Sequence, residues 1–82
     1  MLITFDETKL QTNIIKHQLD FRDLSLGFFE AAAIFDAPQE RLKAIGTFQD
    51  RIIISVIFKP MGTEALSVIS MRPASRKERN LL

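Results

Sequence analysis

Hydrophobic positions change their period part-way along this chain, and the change separates a helical first third from a strand-rich remainder. Leu2 to Phe5 reads as a short strand. Asp6 then offers a carboxylate to cap a helix from Glu7 to about His17, with Glu7 in the favourable first turn. Within that helix Leu10, Ile14 and His17 fall at i, i+4 and i+7 and share a face. Asp20 is placed to cap a second, short helix from about Phe21 to Phe28, interrupted near Gly27, whose Phe21, Leu24 and Phe28 repeat the helical spacing.

From Ala31 onward the pattern becomes that of strands. Ala32 to Phe35 forms a short one, closed by the turn Asp36-Ala37-Pro38-Gln39. Arg41 to Thr47 and Arg51 to Lys59 follow, joined by Phe48-Gln49-Asp50. The run Ile52 to Phe58 is apolar on both faces, which predicts a central strand flanked by antiparallel neighbours. Pro60 to Thr63 supplies a turn and Glu64 to Met71 a last strand. Ser75 and Glu78 have the S-x-x-E spacing of a capping box, so a short helix starts there and runs to the end of the chain. The order β-α-α-β-β-β-β-α predicts an α+β fold: a small antiparallel sheet, two N-terminal helices and a short C-terminal helix, with the helices on one face.

Eighty-two residues, with 46% hydrophobic and 26% charged, predict a single globular domain over residues 1–82. The lack of cysteine excludes a disulfide framework, a thiol nucleophile and the usual sulfur-containing zinc site, and fits a reducing, cytoplasmic setting. No apolar stretch approaches the roughly 20 residues that span a bilayer, so a soluble protein with no membrane role is expected. Net charge is only +1 but is unevenly spread: residues 1–50 carry −3 and residues 51–82 carry +4. A local basic patch of this kind points to a confined anionic ligand or an acidic partner. Its densest part is the stretch from Arg72 to Arg79, where an apolar strand stops in an arginine beside a helix that begins with Arg76 and Lys77. Such a strand end suits phosphate.

Several fragments of the chain together resemble the BrnT family of toxin components, within the RelE-like ribonuclease superfamily. Phe5-Asp6, Lys9, Asn13, Lys16 and His17 follow an F-D-x-x-K-x-x-x-N-x-x-K-H pattern. Phe21, Glu40-Arg41, Ile45-Gly46 and Arg51 come next, and Ile69-Ser70, Arg72, Ala74-Ser75 and Glu78-Arg79 complete it. Two features depart from the family pattern. The residue after the histidine is usually glycine and is Gln18 here, and the connection before Glu40-Arg41 is short.

The resemblance implies a RelE-like fold and a cytoplasmic ribonuclease toxin of a type II toxin–antitoxin system, which cuts RNA to block translation. It also implies an antitoxin of ribbon-helix-helix type, with a homodimer or a toxin–antitoxin heterotetramer as the assembly. RNA cleavage of this kind needs a nucleophilic 2′-oxygen, cations around the pentacovalent phosphate and a proton for the 5′-oxygen; no cofactor or metal is required. Arg72, with Arg41 and Arg51 opening neighbouring strands, is the candidate phosphate cluster if the strand ends meet. Proton transfer falls to His17 or Glu40, the latter only if burial raises its pKa. Arg76, Lys77 and Arg79 are candidate RNA-binding cations, placed where they oppose the helix dipole.

Structural roles stand beside these. Arg72 and Arg51 also fit solvated strand ends, Glu40-Arg41 a surface ion pair, His17 a helix C-terminal cap, and Ser75 a cap. Phe28, Phe29, Phe35, Phe48 and Phe58 read as core. A catalytically weakened relative that only binds an antitoxin or regulator is the second functional reading, and a purely structural α+β domain the third. An exposed sheet edge in so small a domain favours a partner.

Overall fold

In a computed structural model describing residues 1–82, the chain runs β1 (Leu2–Phe5), α1 (Glu7–His17), a 3-10 turn (Phe21–Asp23), α2 (Leu26–Ala31), β2 (Ala33–Ala37), β3 (Arg41–Phe48), β4 (Ile52–Met61), β5 (Ala65–Pro73) and α3 (Arg76–Arg79). The five strands lie in the order β1-β5-β4-β3-β2. As the apolar run predicts, β4 is central and antiparallel to both neighbours. The sheet is nevertheless mixed, not wholly antiparallel, because β1 pairs in parallel with β5 through Leu2↔Ala65 to Phe5↔Val68. Returning in the last hairpin, β5 inserts between β4 and β1, where Leu66, Val68 and Met71 are buried.

The expected helix over Phe21 to Phe28 divides in two. The Asp20 carboxylate accepts from the Arg22 N–H at 2.8 Å and closes only one 3-10 turn. Leu24 is then extended, and Ser25 caps a new helix by accepting from the Phe28 N–H at 3.3 Å. A serine that can satisfy an orphan N–H competes with continuing the first helix. Phe21, Leu24 and Phe28 still reach the core, so the apolar spacing was informative although the helix was not continuous.

One face of the sheet carries Ala44, Phe48, Ile54, Val56, Phe58, Leu66, Val68 and Met71, and the helical segments press Leu10, Phe21, Leu24 and Phe28 onto it. Burying each large side chain is worth about 1.5–3 kcal/mol. Contact is closest at Gly46, where a Cβ would stand 3.1 Å from the Ala32 Cβ and 3.3 Å from the Phe28 ring. Phe29 meets Phe58 edge-on at 5.1 Å. The core assignment holds for Phe28, Phe48 and Phe58, which are buried, and for half-buried Phe29 against them; half-buried Phe35 lies on β2 with its side chain toward the other face. Helices do not all cover one face: α3 lies on the opposite side, over Ser55 and Lys43. No helix is long and apolar enough to cross a membrane.

Candidate functional site

The sheet face away from α1 and α2 is built from the alternate residues of the same strands. The register aligns Arg72 on β5 with Ser55 on β4, and Ser55 with Ile45 on β3, with Lys43 two residues from Ile45 on the same face. The capping box brings α3 over this row. Ser75 Oγ accepts from the Glu78 N–H at 3.1 Å, and Glu78 Oε1 accepts from the Ser75 N–H at 2.9 Å.

Glu78, only 6% exposed, is thereby held among donors. Its carboxylate accepts from Arg72 Nη1 at 2.7 Å and Nη2 at 2.9 Å, from Lys43 Nζ at 3.0 Å and from Ser55 Oγ at 3.2 Å. The Arg72 hydrogen bonds, with further help from the Ser75 N–H and Lys43, hold its pKa far below the usual carboxylate range. The same contact raises the pKa of Arg72. Glu78 is therefore ionised, and in this arrangement it is a poor proton acceptor.

Arg72 keeps part of its hydrogen-bonding capacity. Of the five guanidinium N–H groups, Nη1 donates one to Glu78 and one to the Pro73 carbonyl, and Nη2 donates one to Glu78. The Nε–H and the second Nη2–H have no protein acceptor. They form the side-on edge of the fork, the geometry that grips two oxygens of one phosphate. The side chain as a whole is 38% exposed.

A second row adds charge to the same face. Thr4 pairs with Ser67, and Ser67 with Lys59. Continuing the β3–β4 register beyond Leu42↔Phe58 sets Arg41 opposite Lys59. Neither forms an ion pair. Like charges facing each other across strands are unfavourable unless an anion joins them.

Arg41 shares a face with Arg72 but not a cluster: it lies four residues from Ile45 along β3, about 13 Å. Arg51 sits in the β3–β4 turn at the other end of the sheet, in a groove with Asp20 and Asp23. The starts of consecutive antiparallel strands lie at opposite ends, which separates Arg41 from Arg51; Arg72 lies at the Arg51 end, but its partner Ser55 is four residues along β4 from Arg51, about 13 Å, so the three arginines do not converge. Glu40 occupies the exposed β2–β3 turn with φ 61°, and the burial its role as a base requires is absent. Arg76, Lys77 and Arg79 are exposed on α3, with Arg79 donating to the Ala74 carbonyl. His17 ends α1 half-buried, in a groove against β5 with Lys9, Lys16 and Ser70. It lies in the last helical turn, but its ring donates to no carbonyl there, and the C-cap is Gln18, whose backbone N–H donates to the Ile14 carbonyl.

Lys43, Lys59 and Ser55 are the site residues that sequence reasoning missed. Two signals were available: Ser55 is the single polar residue in the run Ile52 to Phe58, and Lys43 follows Arg41 at strand spacing.

Comparison with known proteins bears on this geometry. A family model described as "Ribonuclease toxin, BrnT, of type II toxin-antitoxin system" matches residues 5–78. The crystal structure of the Brucella abortus ribonuclease toxin, BrnT, is 60% identical, covers 93% of this chain and 99% of its own, and superimposes with a TM-score of 0.88. No curated protein matches the chain.

Proposed function

The chain belongs to the BrnT family and is a ribonuclease toxin of a type II toxin–antitoxin system, and from that premise we propose that its open sheet face is where RNA is held and cut. The carrying observation is the unpartnered side-on edge of Arg72, fixed in place by Glu78 on a face that also bears Arg41, Lys43 and Lys59.

In this reading Arg72 grips the scissile phosphate. The 2′-oxygen loses its proton and attacks phosphorus, the P–O5′ bond breaks, and the 5′-oxygen takes up a proton. Arg72 stabilises the charge that grows on the non-bridging oxygens, where a preformed donor acts most strongly. Glu78 is a positioning residue: it turns the guanidinium so that one edge faces the protein and the other faces RNA. His17, the only imidazole, is assigned to proton transfer in preference to the exposed Glu40. No metal or cofactor enters this scheme. We further assign the fold to the RelE-like superfamily, the site of action to the cytoplasm and the antitoxin to the ribbon-helix-helix class. The basic face, with its unpaired Arg41 and Lys59, suits an acidic antitoxin segment that competes with RNA.

Cleavage of a defined RNA by purified wild-type protein, beside Arg72→Ala and Arg72→Lys, tests this. Loss of the bidentate edge should lower the rate by about 10²–10³-fold in the first variant. Lysine should restore little, because it supplies a point charge and no fork. Equal rates in all three, with folding verified, would remove Arg72 from the site.

A further inference from the structure

The groove between α1 and β5 holds His17, assigned above to proton transfer, but its two lysines take no part in the phosphate grip just described. It exists because β1 pairs only with Ala65 to Val68, so the outer edge of β5 is uncovered from Ile69 onward. At the same place the β4–β5 register slips between Ile57 and Phe58, leaving Ile69 as an extra residue. Helix α1 lies along this open edge, pinned by Asn13, which is 5% exposed. Asn13 Oδ1 accepts from the Met71 N–H at 3.0 Å, and its Nδ2 donates to the Leu19 carbonyl at 2.9 Å. The spacing of α1 from β5 is therefore set by a buried amide.

What lines the groove is chemically selective. Its volume is about 220 Å³, and around it stand Lys9, Thr12, Lys16, His17 and Ser70, with Ile69 as its one hydrophobic residue and no carboxylate. Lys9, Asn13 and Lys16 recur at i, i+4 and i+7, so one helix face presents both ammonium groups. Neither lysine forms an ion pair. A concave site of one sign concentrates its field on a ligand of the other sign. Side-chain stems and Ile69 make the larger part of the wall apolar, and the polar groups set in it are ammonium and hydroxyl donors with no carboxylate among them, a combination that suits a phosphodiester.

Its position connects it to the candidate centre. Ser70 lines the groove, and Arg72 lies two residues further along β5, about 7 Å away, or roughly two stacked nucleotides of a single strand. We infer that the Lys9–Lys16 groove is a second phosphate site, which holds the RNA backbone one to two nucleotides from the scissile phosphate as the strand passes over the open edge of β5. This rests on the ribonuclease reading of the Arg72 face and adds a substrate requirement to it: the RNA must extend beyond the cut.

Binding of a 2′-O-methyl RNA octamer, which lacks the free 2′-hydroxyl needed for attack, tests the inference with wild-type protein, Lys9→Gln/Lys16→Gln and Arg72→Ala. Both lysines are exposed, so the double variant keeps the core intact. The double variant should bind the octamer about 10-fold or more weakly, with the salt slope shallower by about 1.4, since each lost contact to a single strand removes about 0.7. A 2′-O-methyl dinucleotide, too short to reach the groove, should bind wild type and the double variant alike. An unchanged octamer affinity and slope in the double variant, with Arg72→Ala still weakened, overturns the groove and leaves the Arg72 reading standing. Failure of wild-type protein to bind the octamer overturns both.

Discussion

The two faces of the sheet are made from the same strands but are held by different forces. Toward α1 and α2 the alternate residues are apolar and buried, and the helical segments add Leu10, Phe21, Leu24 and Phe28 to a continuous core. Toward α3 a smaller apolar set, buried Ile45 with half-buried Phe35, Ile53 and Ile57, shares the face with Arg72, Ser55, Lys43, Arg41 and Lys59, and a four-residue helix is tied down there through Glu78. The first face answers to the hydrophobic effect, which needs no particular partner. The second answers to directed charge-assisted bonds, which can be shared with a ligand. Stability is concentrated on one face, and the other is free to present cations.

Substitutions should separate these contributions, and the largest effect belongs to the apolar face. Phe21→Ala removes a ring that is 0% exposed and packs edge-on against Phe5 at 5.9 Å. A loss of about 3–5 kcal/mol is expected in urea unfolding, a large part of what a domain of this size possesses. A loss below 1 kcal/mol would show that the helical face is not the main source of stability.

Glu78→Gln should have a smaller effect. Arg72 and Lys43 would lose their shared counter-ion, but both are about a third exposed, at 38% and 29%, and water would compensate in part. The expected loss is about 1–3 kcal/mol by urea unfolding, accompanied by slower RNA cleavage as the guanidinium loses its orientation.

Acid should affect the same contact. Because the Glu78 pKa is depressed in the folded state, the unfolded chain, with its carboxyl near 4.3, takes up the proton first as pH falls. Its contribution is complete above about pH 5 and is lost progressively through pH 4 and below. Wild-type melting temperature should therefore fall more steeply from pH 5 to pH 3 than that of Glu78→Gln. Asp20, whose pKa Arg22 lowers, acts with the same sign in both proteins and cancels in that difference. Parallel curves would mean that Glu78 is not held as the geometry describes.

The smallest effect lies away from both faces. Gln18 closes α1 at φ 57°, a left-handed position that favours glycine, which gives a physical reason for the glycine expected there from the family pattern. Gln18→Gly should raise stability by up to about 1 kcal/mol, the relief of strain being offset in part by a freer unfolded chain. A thermal melting midpoint unchanged by the substitution would show that the strain is negligible.

Local signals predicted much of this architecture. The Asp6 cap and the Ser75–Glu78 capping box lie within three residues of what they bond, and both are present. The apolar run around Ile54 and Val56 required neighbours on both sides and received them. Arg72 was legible as a cation ending a strand. Asn13 was less so, a polar residue beside the buried positions Leu10 and Ile14 whose partner is Met71, 58 residues away. The parallel pairing of β1 with β5 was hidden for the same reason, because Leu2 meets Ala65 only after the whole sheet has been laid down.

By itself the sequence determined the caps, the strand periods, the apolar set and the family pattern, because each depends on residues a few positions apart or on their order along the chain. Tertiary structure alone decided which cations act together. It placed Arg41 and Arg51 at opposite ends of the sheet, brought Lys43 to the Arg72–Glu78 pair, and set Ser70 beside the helix face that carries Lys9 and Lys16. Charge acts through distance in space, and for residues this far apart in the chain that distance is fixed only by strand direction and register.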